Sequence, residues 1–290
     1  MNSDKFFSGA SAVLGLSEPF SRNPSVPVDT HFHIFAANQS VPGARYQPRY
    51  TADLADWGAL AETHGVQRGV LVQPSFLGTN NSLLLSALTH NPALRGVVVI
   101  DPHADSATLA QMHHQGVRGI RLNLVGLSHD VQPWCVVPAL WTALLRLGWH
   151  VQLHTDAGAL PAVLGQLLPY LPQGLPLVLD HFAKPLAATQ QDTTVQLLRK
   201  LTQQGRRVYV KLSGHYRLGT VNAKAMAQLW LQELGPSQLL WGSDWPCTNE
   251  ESWANYGALH QVLLDALGEV SGGAACVHAV LTQNPHQLYA

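Results

Sequence analysis

The 290-residue sequence predicts an α/β protein: a (β/α)8 barrel in one slightly distorted domain, behind an N-terminal arm. Three observations carry that expectation. Eight short β-branched or apolar runs recur along the chain, and a helical pattern follows each of them. No change of composition and no Pro/Ser-rich linker divides the whole. A barrel of this kind takes roughly 250 residues, so residues 25–290 fit one domain and residues 1–24 are left as the arm. A doubly wound sheet would leave the same alternation of strand and helix.

The strand-like runs are Val26–His31, Gly69–Gln73, Gly96–Asp101, Gly119–Asn123, Trp149–His154, Leu175–His181, Arg207–Ser213 and Gln238–Asp244. Several are apolar almost without interruption (VLVQ, GVVVID, PLVLD, QLLW), as parallel strands buried on both faces require. Between them, Ala52–His64, Ser82–His90, Ser106–Gln115, Pro138–Leu147, Ala159–Leu168, Val195–Gln204, Ala223–Leu234 and Ser252–Leu267 repeat apolar residues at i, i+3 and i+4. That is the spacing of one buried helix face. Gly65, Gly116, Gly148, Gly205 and Gly235 stand just after five of these patterns, where a chain leaving a helix needs a positive φ. Asn38–Tyr50 is a long loop after the first strand. It carries Arg45, Tyr46, Arg49 and Tyr50 and is a candidate lid segment.

Composition narrows the partners. Seventeen Lys+Arg face 18 Asp+Glu, 12 % charged in all, against roughly 25 % in an average domain. The 15 histidines nearly equal the Lys and Arg together. A net charge of −1 gives no pull toward a polyphosphate, so neither nucleic acid nor an anionic membrane is an expected partner. A hydrophobic content of 46 % excludes disorder. No apolar run reaches the roughly 18 residues of a membrane helix. Cys135, Cys247 and Cys276 are odd in number and form no CxxC, which argues against a disulfide framework and a thiolate metal site. The mildly apolar stretch Phe6–Leu16 runs into Glu18-Pro19 instead of a small-residue cleavage site. The expected compartment is the cytoplasm, and the oligomeric state is left open.

In a barrel the C-terminal ends of the strands carry the chemistry. The first strand runs out through Asp29-Thr30-His31-Phe32-His33, and two histidines two apart on an extended strand share a face. The second ends at Gln73-Pro74-Ser75, the fourth holds Arg121 and Asn123 on one face, and the fifth ends at His154. The sixth ends at Asp180-His181, the seventh at Ser213 followed by His215, Tyr216 and Arg217, and the eighth at Ser243-Asp244. Any one strand-end histidine is ordinarily a satisfied, half-buried residue. Four histidines and an aspartate converging on one mouth are costly to bury without a purpose.

VDTHFH, LDHFAKP, SGHYR and GSDWP, in that order, resemble the amidohydrolase superfamily. More narrowly, they resemble its branch of 2-pyrone-4,6-dicarboxylate lactonases and related sugar and muconate lactonases. VLVQPSFLGTNN and GVRGIRLNL fall in the expected places between them, and the likeness runs from about Val26 to the C-terminus. The resemblance implies that Asp244 is the general base activating water. It implies that His31, His33 and His181 polarise the carbonyl and steady the oxyanion. It also implies that Ser75, Arg121 and Arg217 hold substrate carboxylate, with Tyr46 near the substrate. Arginine suits that role because its planar fork pairs bidentately with carboxylate.

Two departures matter. The pyrone lactonases carry a further arginine shortly after the fourth strand, where this chain reads Val125-Gly126-Leu127-Ser128-His129. His154 stands where they have a tyrosine and where metal-dependent relatives have a histidine. His154 is therefore expected among the substrate-binding residues. With His31, His33 and Asp244 it would also make an acceptable ligand set for one Zn²⁺. Arg121 and Asn123 replace the bridging Lys or Glu of binuclear members, so two metals are not expected, and metal-free catalysis is the favoured expectation.

The remaining candidates are read more plainly. Asp29 and Asp180 either orient imidazole N–H groups or finish strand hydrogen bonding. Lys211 is a core snorkeller or an ion-pair member. His215 is an exposed loop residue, Cys247 lacks an activating base, and His103, His113 and His114 lie at the surface. The expected activity is hydrolysis of a small carboxylated lactone, the substrate being a small anionic lactone or dicarboxylate. The alternatives are a metal-dependent sugar lactonase and an aromatic or muconate-type acid decarboxylase. A purely binding barrel would not need the base.

Overall fold

The computed structural model describes residues 19–20, 24–251 and 255–290. Strand and helix alternate as β1 (Val28–Phe32), α1 (Leu54–Thr63), β2 (Arg68–Val72), α2 (Ser82–His90), β3 (Leu94–Val98), α3 (Ser106–His114) and β4 (Val117–Asn123). A short α4 (Gln132–Cys135) precedes α5 (Pro138–Arg146), β5 (His150–His154), α6 (Leu160–Leu167), β6 (Leu177–Leu179), α7 (Thr193–Gln203), β7 (Val208–Leu212), α8 (Ala223–Leu234) and β8 (Leu239–Trp241). The chain closes with α9 (Tyr256–Leu267), α10 (Gly273–His278) and α11 (Asn284–Tyr289).

The eight strands are parallel and lie side by side in chain order. That order is the barrel's; a doubly wound sheet reverses direction at a switch point. All five helix-stop glycines take positive φ, from 68 to 105°. Asp53, Asp105, Asp192, Asn222 and Asn255 cap helix N-termini through their side chains, satisfying amides that the helix leaves free.

The seam between β1 and β8 is made differently from the other strand pairs. A parallel bridge joins Phe32 to Trp245. The Asp244 amide donates to the His31 carbonyl at 2.8 Å, and the His33 amide to the Trp245 carbonyl at 2.8 Å. Asp29, fully buried, accepts from the Ser243 amide (2.9 Å), the Ser243 hydroxyl (2.6 Å), Trp57 Nε1 (2.9 Å) and the His31 amide (3.1 Å). Gly242 lets the two strands meet: a Cβ there would lie 2.5 Å from His31 Cβ.

Between barrel and helices the core is apolar, with Trp57, Trp141, Trp149, Trp230 and Trp241 at most 1 % exposed and Trp57 stacked on Phe32 at 3.9 Å. A second cluster gathers Val28, Val70, Val97, Val178, Leu240 and Tyr289. Polar side chains also cross the barrel interior. Lys211 on β7 donates to the Thr30 carbonyl on β1 and to Gln152 on β5, both at 2.7 Å.

Strands β6 and β8 are shorter than their apolar runs suggest, three residues each. After β6 the backbone turns left-handed from His181 through Lys184 (φ 45 to 60°), and after β8 Asp244 takes φ 56°. Those residues leave the ladder and face the mouth. α4, α10 and α11 arise where the sequence pattern predicted no helix. The expected helix Ser252–Leu267 begins among residues outside those described, and α9 starts at Tyr256. Most of the expected arm, 1–24, likewise lies outside the described residues; Phe20 is buried against Arg95 and His286. Among the described residues no helix is long and apolar enough to cross a membrane.

Candidate active site

A cavity of about 130 Å³ opens at the C-terminal mouth of the barrel. His33, Arg45, Tyr46, Ser75, Arg121, Asn123, His154, His181, Arg217, Asp244, Thr248 and Asn249 are among its lining residues. His31 lies directly beneath, fully buried. All nine residues singled out by sequence as catalytic or substrate-binding therefore line this cavity or its floor.

Asp244 is the centre. Arg217 Nε donates to its Oδ2 at 2.8 Å and the Tyr216 hydroxyl donates to the same oxygen at 2.6 Å. Oδ1 is buried with no hydrogen-bond partner. It faces His31 Nε2 at 3.6 Å and His33 Nε2 at 3.5 Å. His33 Nδ1 lies 2.7 Å from the Val72 carbonyl, which can only accept. His33 Nδ1 therefore carries a proton. His31 Nδ1 lies 3.2 Å from Asp180 Oδ1, a carboxylate neighbour that favours the ring proton on that nitrogen. His31 Nε2 and Asp244 Oδ1, both buried and unpartnered, thus face each other at 3.6 Å, suited to a water that donates to both or to a cation.

The charges follow from burial and neighbours. Burial, the largest influence on Asp244, pulls its pKa upward, but Arg217, His181, His33 and His31 together hold it well below the usual carboxylate range. Asp180 behaves likewise: His31, Arg121 and Lys211 overcome the effect of burial. Burial pushes His181 down to about 4, with Arg217 and Arg121 adding to the effect. Burial, aided by Lys211 for His31 and by His181 and Arg121 for His154, also keeps those two well below the ordinary histidine range. At neutral pH the site holds two carboxylates and neutral imidazoles at these three positions.

A layer of support lies under the mouth. Arg121 Nε donates to Asp180 Oδ2 at 3.0 Å, Gln152 Nε2 donates to the same oxygen at 3.1 Å, and Lys211 Nζ stands 4.0 Å from Oδ1. Burial pushes the Lys211 ammonium down to about 7. Asp180 therefore orients His31 and anchors Arg121. Arg121 Nη2 also reaches His154 Nδ1 at 3.4 Å, which places the His154 proton on Nε2, as a donor.

Other strand-end groups are structural. Gln73 donates to the Gly78 and Asn80 carbonyls, and Ser243 serves Asp29. His215 is half-buried and is not among the cavity lining. Cys247 is buried, and burial with the Asp244 charge pushes its thiol up to about 12. Tyr46 lines the cavity, but its hydroxyl donates to Glu251, as does that of Tyr50 at 2.9 Å, tying the loop after β1 to the loop after β8. Tyr216 and Lys211 carry site contacts that strand-end position alone did not assign; Tyr216 was adjacent to Arg217 in the SGHYR motif.

Among the described residues two groups bring metal-ligating atoms together: His31, His181 and Asp244, and His154, Asp180 and His181. The unpartnered His31 Nε2 and Asp244 Oδ1 fit a single ion in the first group. The four-residue set His31, His33, His154 and Asp244 is not one of these groups; His154 turns toward Arg121 instead.

A family model of the amidohydrolases matches residues 28–290. The chain belongs to the amidohydrolase family. This amidohydrolase is 29 % identical over 291 residues to a 2-pyrone-4,6-dicarboxylate hydrolase of Comamonas testosteroni, covering 94 % of this chain and 93 % of that one. It is 28 % identical to a 4-sulfomuconolactone hydrolase of Rhizobium radiobacter, covering 90 % and 89 %. A solved structure from Pseudomonas putida, proposed to be a 2-pyrone-4,6-dicarboxylic acid hydrolase, superposes with a TM-score of 0.78 at 37 % identity, covering 91 % of this chain and 97 % of that one.

Proposed function

We propose that this amidohydrolase opens the ester of a small carboxylated lactone without a metal, with Asp244 as general base. The observation that carries the proposal is the division of labour on Asp244. Arg217 and Tyr216 fix Oδ2, and Oδ1 is left unpartnered, facing the unpartnered His31 Nε2, in a cavity bordered by arginines. The lactone-hydrolase names of the similar proteins support the same chemistry.

A water donating to Asp244 Oδ1 and to His31 Nε2, with His33 beside it, attacks the ring carbonyl carbon. Its proton passes to Oδ1 as the new C–O bond forms. His181 is the neighbouring group for the oxyanion of the tetrahedral intermediate. The bond to the ring oxygen then breaks, and Asp244 returns the proton to that oxygen. The product is a free hydroxyl and a carboxylic acid, which gives up the second proton of the water to solvent to become a carboxylate. Arg217, Arg121, the His154 Nε2–H and Ser75 orient the substrate carboxylate, so that attack is effectively intramolecular.

An ion held by His31, His181 and Asp244 would supply Lewis-acid polarisation of the carbonyl. The guanidinium of Arg217 on Asp244 and that of Arg121 on Asp180 favour the metal-free course, because both place fixed positive charge around the spot. The free state of Cys135, Cys247 and Cys276 supports a reducing, cytoplasmic setting.

The test is turnover of carboxylated lactones by enzyme dialysed against a chelator, compared with Asp244→Asn. Dialysed wild type should keep its rate. Asp244→Asn should lose about 10²–10⁴-fold in kcat while still binding a non-hydrolysable dicarboxylate. Near-normal turnover by the variant would remove Asp244 as the base, and stoichiometric zinc with loss of rate on chelation would replace the metal-free course.

A further inference from the structure

Three cations line the active-site cavity: Arg45, Arg121 and Arg217. Two of them already meet a buried carboxylate, Arg121 on Asp180 at 3.0 Å and Arg217 on Asp244 at 2.8 Å. Among the described residues no carboxylate comes within ion-pair distance of Arg45. Among the described residues, the unpaired positive charge of the cavity therefore lies on Arg45.

Its position is specific. A second cavity of about 260 Å³ adjoins the first, and Arg45, Ser75, Phe76 and Asn123 line both. The guanidinium lies over the turn that follows β4. That turn is folded by the Leu127 amide on the Leu124 carbonyl at 3.1 Å and the Gly126 amide on Asp156 Oδ2 at 2.9 Å. A Cβ on residue 126 would stand 2.6 Å from Arg45 Nη1. The side chain missing at Gly126 is the space the guanidinium takes. The turn supplies no cation of its own between Val125 and Ser128, and one arrives there from the loop after β1.

We propose that Arg45 binds a second anionic group of the substrate, at the boundary between the two cavities, so that the preferred ligand is a dianion. One anionic group lies within reach of Arg121, His154 and Arg217, and the other pairs with Arg45 at the outer rim. A guanidinium with no ion-pair partner among the described residues gives up no such pair when it binds an anion, and its fork suits a carboxylate or sulfonate equally. The assignment rests on the lactone reading of the site for the identity of the reaction, but not for the binding itself.

The test is calorimetric titration with planar ligands that contain no ester bond: pyridine-2,4-dicarboxylate as dianion, and pyridine-2-carboxylate and pyridine-4-carboxylate as monoanions. Wild type should bind the dianion more tightly than either monoanion. Arg45→Met should weaken the dianion by at least about tenfold, the scale of one charge-assisted contact. It should weaken the monoanion that occupies the inner position far less. Arg45→Lys should recover part of the loss. Equal weakening of dianion and monoanions by Arg45→Met, or a wild type that binds the dianion no tighter than the monoanions, overturns the proposal. The titration needs no turnover. A wild type that opens no carboxylated lactone would defeat the hydrolase reading while the Arg45 result stood on its own.

Discussion

Arg217 serves two ends at once. Its Nε holds Asp244 Oδ2 at 2.8 Å, its Nη2 donates to the Thr248 carbonyl at 3.2 Å, and its guanidinium lines the cavity. Arg217→Met should therefore raise KM for a carboxylated lactone, and it should also change the base. Without the guanidinium, burial acts on Asp244 less opposed, and its pKa rises. A base is lost as pH falls through its pKa, so the acid limb of the kcat/KM profile should move to higher pH in the variant. An acid limb at the wild-type position would show that Arg217 does not set the charge of Asp244; an unchanged KM would remove it from the carboxylate clamp. Asp244, Arg217 and the histidines were legible in the sequence because they sit in short motifs at strand ends. The role of Lys211 was not, because its partners, Thr30 and Gln152, are 181 and 59 residues away. The place of Arg45 was hidden for the same reason: it lies mid-loop, and its guanidinium packs over Gly126 in the turn after β4.

At the scale of elements, the alternation of strand and helix and the helix faces could be read from periodicity and glycine stops, because both are local; strand order could not, since a doubly wound sheet alternates in the same way. The β1–β8 seam could not. It depends on Gly242, on the Asp29 carboxylate and on the left-handed turn at Asp244, and no local pattern marks any of them. The lengths of β6 and β8 were missed for a related reason. Apolar periodicity continues into residues whose backbone has already turned toward the mouth. α11 is likewise fixed by tertiary contacts, with Asn284 donating to the Pro236 and Leu239 carbonyls at 2.7 Å. Gly242→Ala tests the seam. Its Cβ would lie 2.8 Å from the His31 amide nitrogen as well as 2.5 Å from His31 Cβ, so β1 must shift. Urea unfolding should show a loss of about 1–3 kcal/mol, and kcat should fall because His31 moves away from Asp244. A variant of wild-type stability and rate would mean that the seam is looser than these contacts require.

Over the whole molecule the charges are few and strongly concentrated. Of 35 Lys, Arg, Asp and Glu, Asp29, Arg68, Arg121, Asp180, Lys211 and Asp244 are at most 5 % exposed. A chain of net charge −1 offers an anionic substrate little long-range pull, so attraction must come from the cavity itself. The surplus of histidine is partly explained by the same concentration, since His31, His150, His154 and His181 are all buried in the barrel. Burial, aided by Lys211, pushes His150 down to about 3, and His181 stands at about 4, against an ordinary value of 6.5. A histidine whose folded pKa is depressed binds fewer protons folded than unfolded between the two values. Its contribution to stability is complete above about pH 6.5 and is lost progressively as pH falls toward the folded value. Asp180 and Asp244, held well below 3.8, keep their contribution across that window. The thermal midpoint should therefore fall between pH 7 and pH 5, ahead of any carboxylate titration. His150 lies outside the cavity lining, so His150→Gln separates this effect from catalysis: the variant should show a shallower decline of midpoint with pH, whatever its stability at pH 7. A midpoint that stays level from pH 7 to pH 5, or the same slope in the variant, would mean that the buried histidines accept protons without opposing the fold.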